Sequence, residues 1–157
     1  MLIEGLSYLE ETERGEEMDE LNYASLPASK KLVDNGIVLE TDAVWVKWYF
    51  DGSVLSDRNP YEWRLQYKAL TQTDFESIPA PCFTEVWREL PEEYDTETRH
   101  LELQVDKIKR VDGVIVTSAN YIYDDTENGC CVYKFFAKEN PTDALIDLLV
   151  WLKGAGK

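Results

Sequence analysis

Apolar positions recur along this chain in two different periods, and the switches between them mark out its elements. Near the end, Ala144, Leu145, Leu148, Leu149 and Leu152 fall at helical spacing. They follow Asn140, whose side chain can accept from a free first-turn amide, and Pro141, whose missing N–H costs nothing at the first helical position. Asp143 sets negative charge against the helix dipole, and Gly154 and Gly156 close the run. The spacing predicts an amphipathic helix with Leu145, Leu148, Leu149 and Leu152 buried against a sheet and with Asp143 and Asp147 exposed. SLPASKKLVDNG predicts a second helix, with Ser25 or a neighbour as its cap, Pro27 in the first turn, Leu32 and Val33 inward and Gly36 as the stop. PCFTEVWRELP predicts a third and shorter one that turns Phe83, Val86, Trp87 and Leu90 inward. Residues 1–22 carry Leu2, Ile3, Leu6 and Leu9 near helical spacing and then a run of acids, which predicts a short amphipathic helix and an acidic linker.

Period-two segments lie between these helices. AVWVKWYF (43–50) places Val44, Val46, Trp48 and Phe50 on one side of a strand and Trp45, Lys47 and Tyr49 on the other. YEWRLQYKA (61–69) alternates more cleanly, with Trp63, Leu65 and Tyr67 against Glu62, Arg64, Gln66 and Lys68, as an antiparallel strand with one wet face does. The connection DGSVLSDRNP is long for a hairpin and is expected to project. An acidic loop, EEYDTET, precedes HLELQVDKI, which reads as a strand through Leu101, Leu103 and Val105; a helix through Leu101, Val105 and Ile108 is the alternative. GVIVTSANYIYDD and GCCVYKFFA form a hairpin about the polar turn DDTENG. This order predicts an α+β domain over 23–157: a mostly antiparallel sheet of about five strands, with short helices packed mainly on one face, behind the acidic segment 1–22.

Composition sharpens that picture. A chain of 157 residues can bury about 70% of its unfolded surface in one domain. Five Trp, nine Tyr and five Phe exclude disorder of the whole. No apolar run approaches the roughly 20 residues that span a bilayer, and the start lacks the pattern of a signal peptide, so the expected location is cytoplasmic. The net charge is −15. Residues 1–22 hold eight acids against Arg14, and residues 85–106 hold eight against Arg88 and Arg99, so these two segments supply thirteen of the fifteen net negative charges. Such a surface repels nucleic acid and anionic membranes, and Lys107, Lys109 and Arg110 are the one basic cluster. The acidity is either a solvated, solubilising face or a surface that meets a basic site on another protein.

Candidate chemistry is sparse. The single histidine, His100, follows Arg99 in a charged stretch, and no nucleophile elbow or phosphate-binding loop accompanies it. Cys82, Cys130 and Cys131 are odd in number, lack the C-x-x-C spacing of a zinc site, and read as small buried apolar thiols. Asp124, Asp125, Glu127 and Asn128 lack the alternation of a calcium loop and read as a turn. The sequence therefore gives no catalytic residue, no metal ligand and no cofactor. The aromatic residues Trp45, Tyr49, Tyr121, Tyr123, Tyr133 and Phe135 lie on strands whose other faces already supply a core. Either helices cover them, or they form an exposed patch that binds a protein. The candidate protein-binding residues are Trp45, Tyr49, Tyr121 and Tyr123 with the acids Glu89, Glu92, Glu93 and Asp95.

SLPASKKLVDNGI, VWVKWY, IPAPCFTEVWRELP and NGCCVYKFFAKENPTDALIDLLVWL, in that order, resemble a group of uncharacterised small proteins of bacteriophages and prophages. The matching positions are Lys30, Lys31, Leu32 and Gly36; Pro81, Phe83, Glu85 and Leu90; and Asn140, Pro141, Asp143, Ala144 and Leu145. The resemblance spans about 25–153. Trp87 is offset by about one position, and the acidic segment 1–22 and the extended stretch 51–78 depart from the pattern. It implies a phage-related origin and a host-cytoplasmic setting, and it carries no activity or site residues. The expectation is a non-enzymatic accessory protein that binds a partner with a basic or apolar surface. It makes no direct contact with nucleic acid or membrane, and homo-oligomerisation stays open. The narrower alternative is an acidic nucleic-acid mimic that inhibits a host defence nuclease or CRISPR effector, and an enzyme of unknown class comes third.

Overall fold

A computed structural model describes residues 19–49, 61–70 and 76–155. The helix expected within residues 1–18 and the connection 51–60 lie outside the described residues. Among the described residues there are three α-helices and seven strands, and the strands form two antiparallel sheets. The class is α+β as the periodicities predict, but the strands divide into sheets of three and four rather than forming one sheet of about five.

The smaller sheet is built on β1 (Ala43–Tyr49), flanked by β2 (Tyr61–Tyr67) and β3 (Ser77–Pro79). Ala43, Val44, Trp45 and Val46 are buried on both faces of the central strand, as their β-branched and aromatic bulk suits. Pro79 cannot donate to a ladder, and the edge position of β3 tolerates it. Helix α1 (Leu26–Asp34) begins where the Ser25 hydroxyl accepts from the Ala28 amide at 3.3 Å. It ends in paired bonds from Gly36 N–H to Val33 O and from Ile37 N–H to Leu32 O, with Gly36 at φ +69°. Leu32 faces the core, whereas Val33 is exposed. Helix α2 (Phe83–Trp87) is fixed by Glu85, whose carboxylate accepts from Cys82 N–H at 2.8 Å and from Asp42 N–H at 3.2 Å, tying the helix to the start of β1.

The larger sheet runs in simple sequence order: β4 (Glu93–Asp95), β5 (His100–Lys109), β6 (Ile115–Asp125) and β7 (Gly129–Lys138). The stretch EEYDTET is thus an edge strand and a turn rather than a loop throughout. Helix α3 (Pro141–Ala155) packs on β6 and β7. Its cap is the predicted one: Asn140 Oδ1 accepts from the Thr142 amide at 2.9 Å, while its Nδ2 donates to Tyr23 O at 2.8 Å. Ala144, Leu145, Ile146, Leu148, Leu149 and Leu152 are all buried, so α3 is enclosed on most sides and joins α1, α2 and the sheet in one core.

That enclosure corrects the two carboxylates. Asp143 is half-buried and accepts from Ser25 N–H at 2.8 Å. Asp147 is buried, with Lys31 at 2.7 Å and Lys138 at 3.7 Å. A carboxylate on the covered side of α3 survives there because α1 and β7 each bring it a lysine.

Candidate functional site

Strand alternation sends the two faces of the larger sheet to different fates. Tyr94, Leu101, Leu103, Val105, Ala119, Tyr121, Tyr123 and Phe136 point toward the helices and join the main core. The opposite face is assembled in cross-strand rows by the register: Glu93–Glu102–Ile122–Val132, then Gln104–Asn120–Phe135, then Asp106–Ser118–Ala137, then Ile108–Val116. A bulge at Tyr133 shifts β7 by one residue and keeps Val132 and Phe135 on this same face. The central strand supplies a buried floor of Val116, Ser118 and Asn120, with the Ser118 hydroxyl donating to Asn120 Oδ1 at 2.7 Å. The flanks stand in solvent: Ile108 is 39% exposed, Phe135 48% and Val132 57%. Among the described residues none of the apolar side chains on this face belongs to either core cluster.

The aromatic candidates fall mostly on the wrong side. Trp45 is buried in the smaller sheet, and its indole N–H donates to Ala24 O at 2.9 Å, so it is a satisfied core tryptophan. Tyr121 is fully buried between Tyr94 and Trp151, its hydroxyl donates to Pro91 O at 2.8 Å, and burial pushes the phenol up to about 12. Neither can be a docking residue, because α3 and the segment before β4 cover one and the Tyr23–Leu26 segment covers the other. Tyr123 is half-buried on the helix side, under the Arg99 guanidinium at 4.5 Å and beside Tyr133. The Tyr49 side chain lies outside the described residues. Among the described aromatics of β5–β7, Phe135 is the one on the face turned away from the helices.

The acids behave differently. Glu93 and Asp95 stand on β4 opposite Glu102 and His100, so all four side chains share the face turned away from the helices, and Asp124 of β6 borders them. Glu89 and Glu92 are exposed beside this hairpin. His100 Nδ1 lies 2.5 Å from Asp95 Oδ1, and its Nε2 lies 3.8 Å from Glu93 Oε1. The hydrogen bond to Asp95 raises the imidazole pKa above its ordinary value, and Glu93 and Glu102 add to it. A cleft of about 210 Å³ opens beside His100 and Glu102, walled by Arg99, Ile122, Tyr123 and Asp124. By alternation, the charged groups on this face of β4–β7 are Glu93, Asp95, Glu102, Asp106 and Asp124 with His100, while Lys107 and Lys109 alternate to the other side.

The clustering around His100 escaped the sequence reading because β4 read as a loop. Its visible trace is a pair of two-residue spacings, Glu93-x-Asp95 and His100-x-Glu102, flanking the turn 96–99. The cysteines also differ from expectation: Cys130 is exposed and Cys131 is half-buried, because β7 is an edge strand. Cys82 is half-buried under α2, and burial raises its thiol pKa.

No protein-family model, curated protein or solved structure matches the chain. Among the described residues, no helix is long and apolar enough to cross a membrane.

Proposed function

We propose that this protein is a non-enzymatic binder of another protein and that it binds through the face of its four-stranded sheet turned away from the helices. The observation that carries this reading is a set of exposed apolar side chains, Ile108, Val132 and Phe135, on a face whose charged side chains are acidic apart from one histidine. An apolar centre with a single-sign rim favours a partner that offers apolar anchors flanked by Lys or Arg. A phage-encoded accessory role fits a protein of this kind and forms part of the proposal. A narrower version has the ordered carboxylates of β4 and β5 occupying the basic groove of a nucleic-acid-processing enzyme.

The test uses amphipathic peptides with apolar anchors and flanking lysines or arginines, titrated into labelled protein and mapped by NMR. Shifts centred on Ile108, Ile122, Val132 and Phe135, lost in Phe135→Ser, support the reading. Shifts confined to the acids of β4 and unaffected by Phe135→Ser favour the narrower mimic. Shifts elsewhere, or none, overturn both. A dimer in sedimentation that Phe135→Ser dissociates would assign the face to a second copy of this chain and would also overturn the proposal.

A further inference from the structure

The geometry points to a divalent transition-metal site formed by Glu93, His100 and Glu102 at the exposed β4–β5 corner of the face turned away from the helices. One ligand atom from each residue falls within 4.8 Å of the others. The two strands are paired in register at Glu93↔Glu102 and Asp95↔His100, so a hydrogen-bonded ladder, and not a loop, presents the three side chains together.

The imidazole makes this more than a group of acids. The Asp95 carboxylate lies 2.5 Å from His100 Nδ1 and orients the ring. His100 Nε2 faces Glu93 Oε1 at 3.8 Å, with Glu102 opposite Glu93 across the ladder. With Nδ1 turned to Asp95, Nε2 and the two carboxylates converge on one space. Arg99, the nearest basic residue in sequence, stacks on Tyr123 and also lines the adjoining cleft. Asp95 holds the position of an outer carboxylate that orients a ligating histidine and raises its basicity.

Coordination at about 2.0–2.2 Å requires donors roughly 3–3.5 Å apart, so the side chains must close by about 1 Å. All three are exposed, and Glu93 and Glu102 can swing toward the ring that Asp95 holds. The adjoining cleft leaves one side of the ion open to water or to an exogenous ligand, and Asp124 stands on its wall. One imidazole nitrogen with two carboxylates suits Zn²⁺ or Mn²⁺ better than Ca²⁺ or Mg²⁺, which favour all-oxygen sets. The site does not depend on a protein docking over the apolar rows.

Calorimetric titration of the metal-free protein with Zn²⁺ and with Mn²⁺ tests this, with no partner present. The expected result is one saturable site tighter than about 1 mM, against which Mg²⁺ competes poorly. His100→Ala and Glu102→Gln should each weaken binding more than tenfold, and Asp95→Asn by about 10–100-fold. Glu89→Gln, outside the triad, should leave it unchanged. Mn²⁺ should broaden the backbone resonances of 93–95 and 100–102 before any others. Unchanged affinity in His100→Ala would reduce the signal to a diffuse cation atmosphere over acids and overturn the site, as would the absence of saturable binding. Amide spectra of each variant show that the fold is intact.

Discussion

Replacing Tyr121 distinguishes a tyrosine that holds the core from one that meets a partner. Its ring is fully buried, with centroids 6.1 Å from both Tyr94 and Trp151, and its hydroxyl donates to Pro91 O at 2.8 Å. Tyr121→Phe keeps the ring contacts and deletes one neutral hydrogen bond, an expected loss of about 1 kcal/mol. Tyr121→Ala also empties the space between α3 and the sheet, and about 3–5 kcal/mol is the usual loss for a buried aromatic ring. For a chain of this length each kcal/mol lowers the melting temperature by roughly 2–4 °C. The phenylalanine variant should therefore melt roughly 2–4 °C below the parent and the alanine variant roughly 6–20 °C below it. Urea and thermal unfolding followed by tryptophan fluorescence reads both, because Trp151 contacts the ring directly. Phe135→Ala, at a site 48% exposed on the other face, should lose less than about 1 kcal/mol in the same assay. The reasoning is refuted if Tyr121→Ala stays within about 0.5 kcal/mol of the parent, which is how surface positions behave.

Two further outcomes follow from groups that the sequence placed differently. A double-mutant cycle on Asp147→Asn and Lys31→Met should give a coupling of about 1–2 kcal/mol, between the values for exposed and buried pairs, because Asp147 is buried while the Lys31 side chain is 44% exposed; a coupling indistinguishable from zero at low salt would mean that α1 and α3 are not joined through this pair. In alkylation of the folded protein at mildly alkaline pH, Cys130 should be modified well before Cys82, since Cys130 is exposed while burial raises the Cys82 thiol and starves it of thiolate; equal rates by mass spectrometry would contradict the half-buried placement of Cys82 at the start of α2.

What was legible in the chain is what is encoded locally. The caps at Ser25 and Asn140, the stop at Gly36 and the turn between β6 and β7 each depend on residues within a few positions of one another, and each forms as its spacing predicts. Burial of Asp147 was not legible, because it depends on Lys31, 116 positions away, and on a helix being enclosed on more than one side. The covered face of a strand was not legible either. Period two separates the faces of β6 but carries no label for the one that meets α3, so Tyr121 and Phe135 looked equivalent in sequence and came to lie on opposite sides. The candidate chemistry was hidden by the same limit in a sharper form. A three-residue strand such as β4 is too short to show any period, yet its pairing brings Glu93 and Asp95 to Glu102 and His100. The acids of 85–106 looked like a solvated run because charge per segment is a one-dimensional quantity. Folded, four of the ionisable groups of that run meet at one corner of one face, with a histidine nitrogen aimed among them. Net charge measures how strongly such a segment repels anions, whereas the register of two strands decides whether its oxygens can converge on a cation.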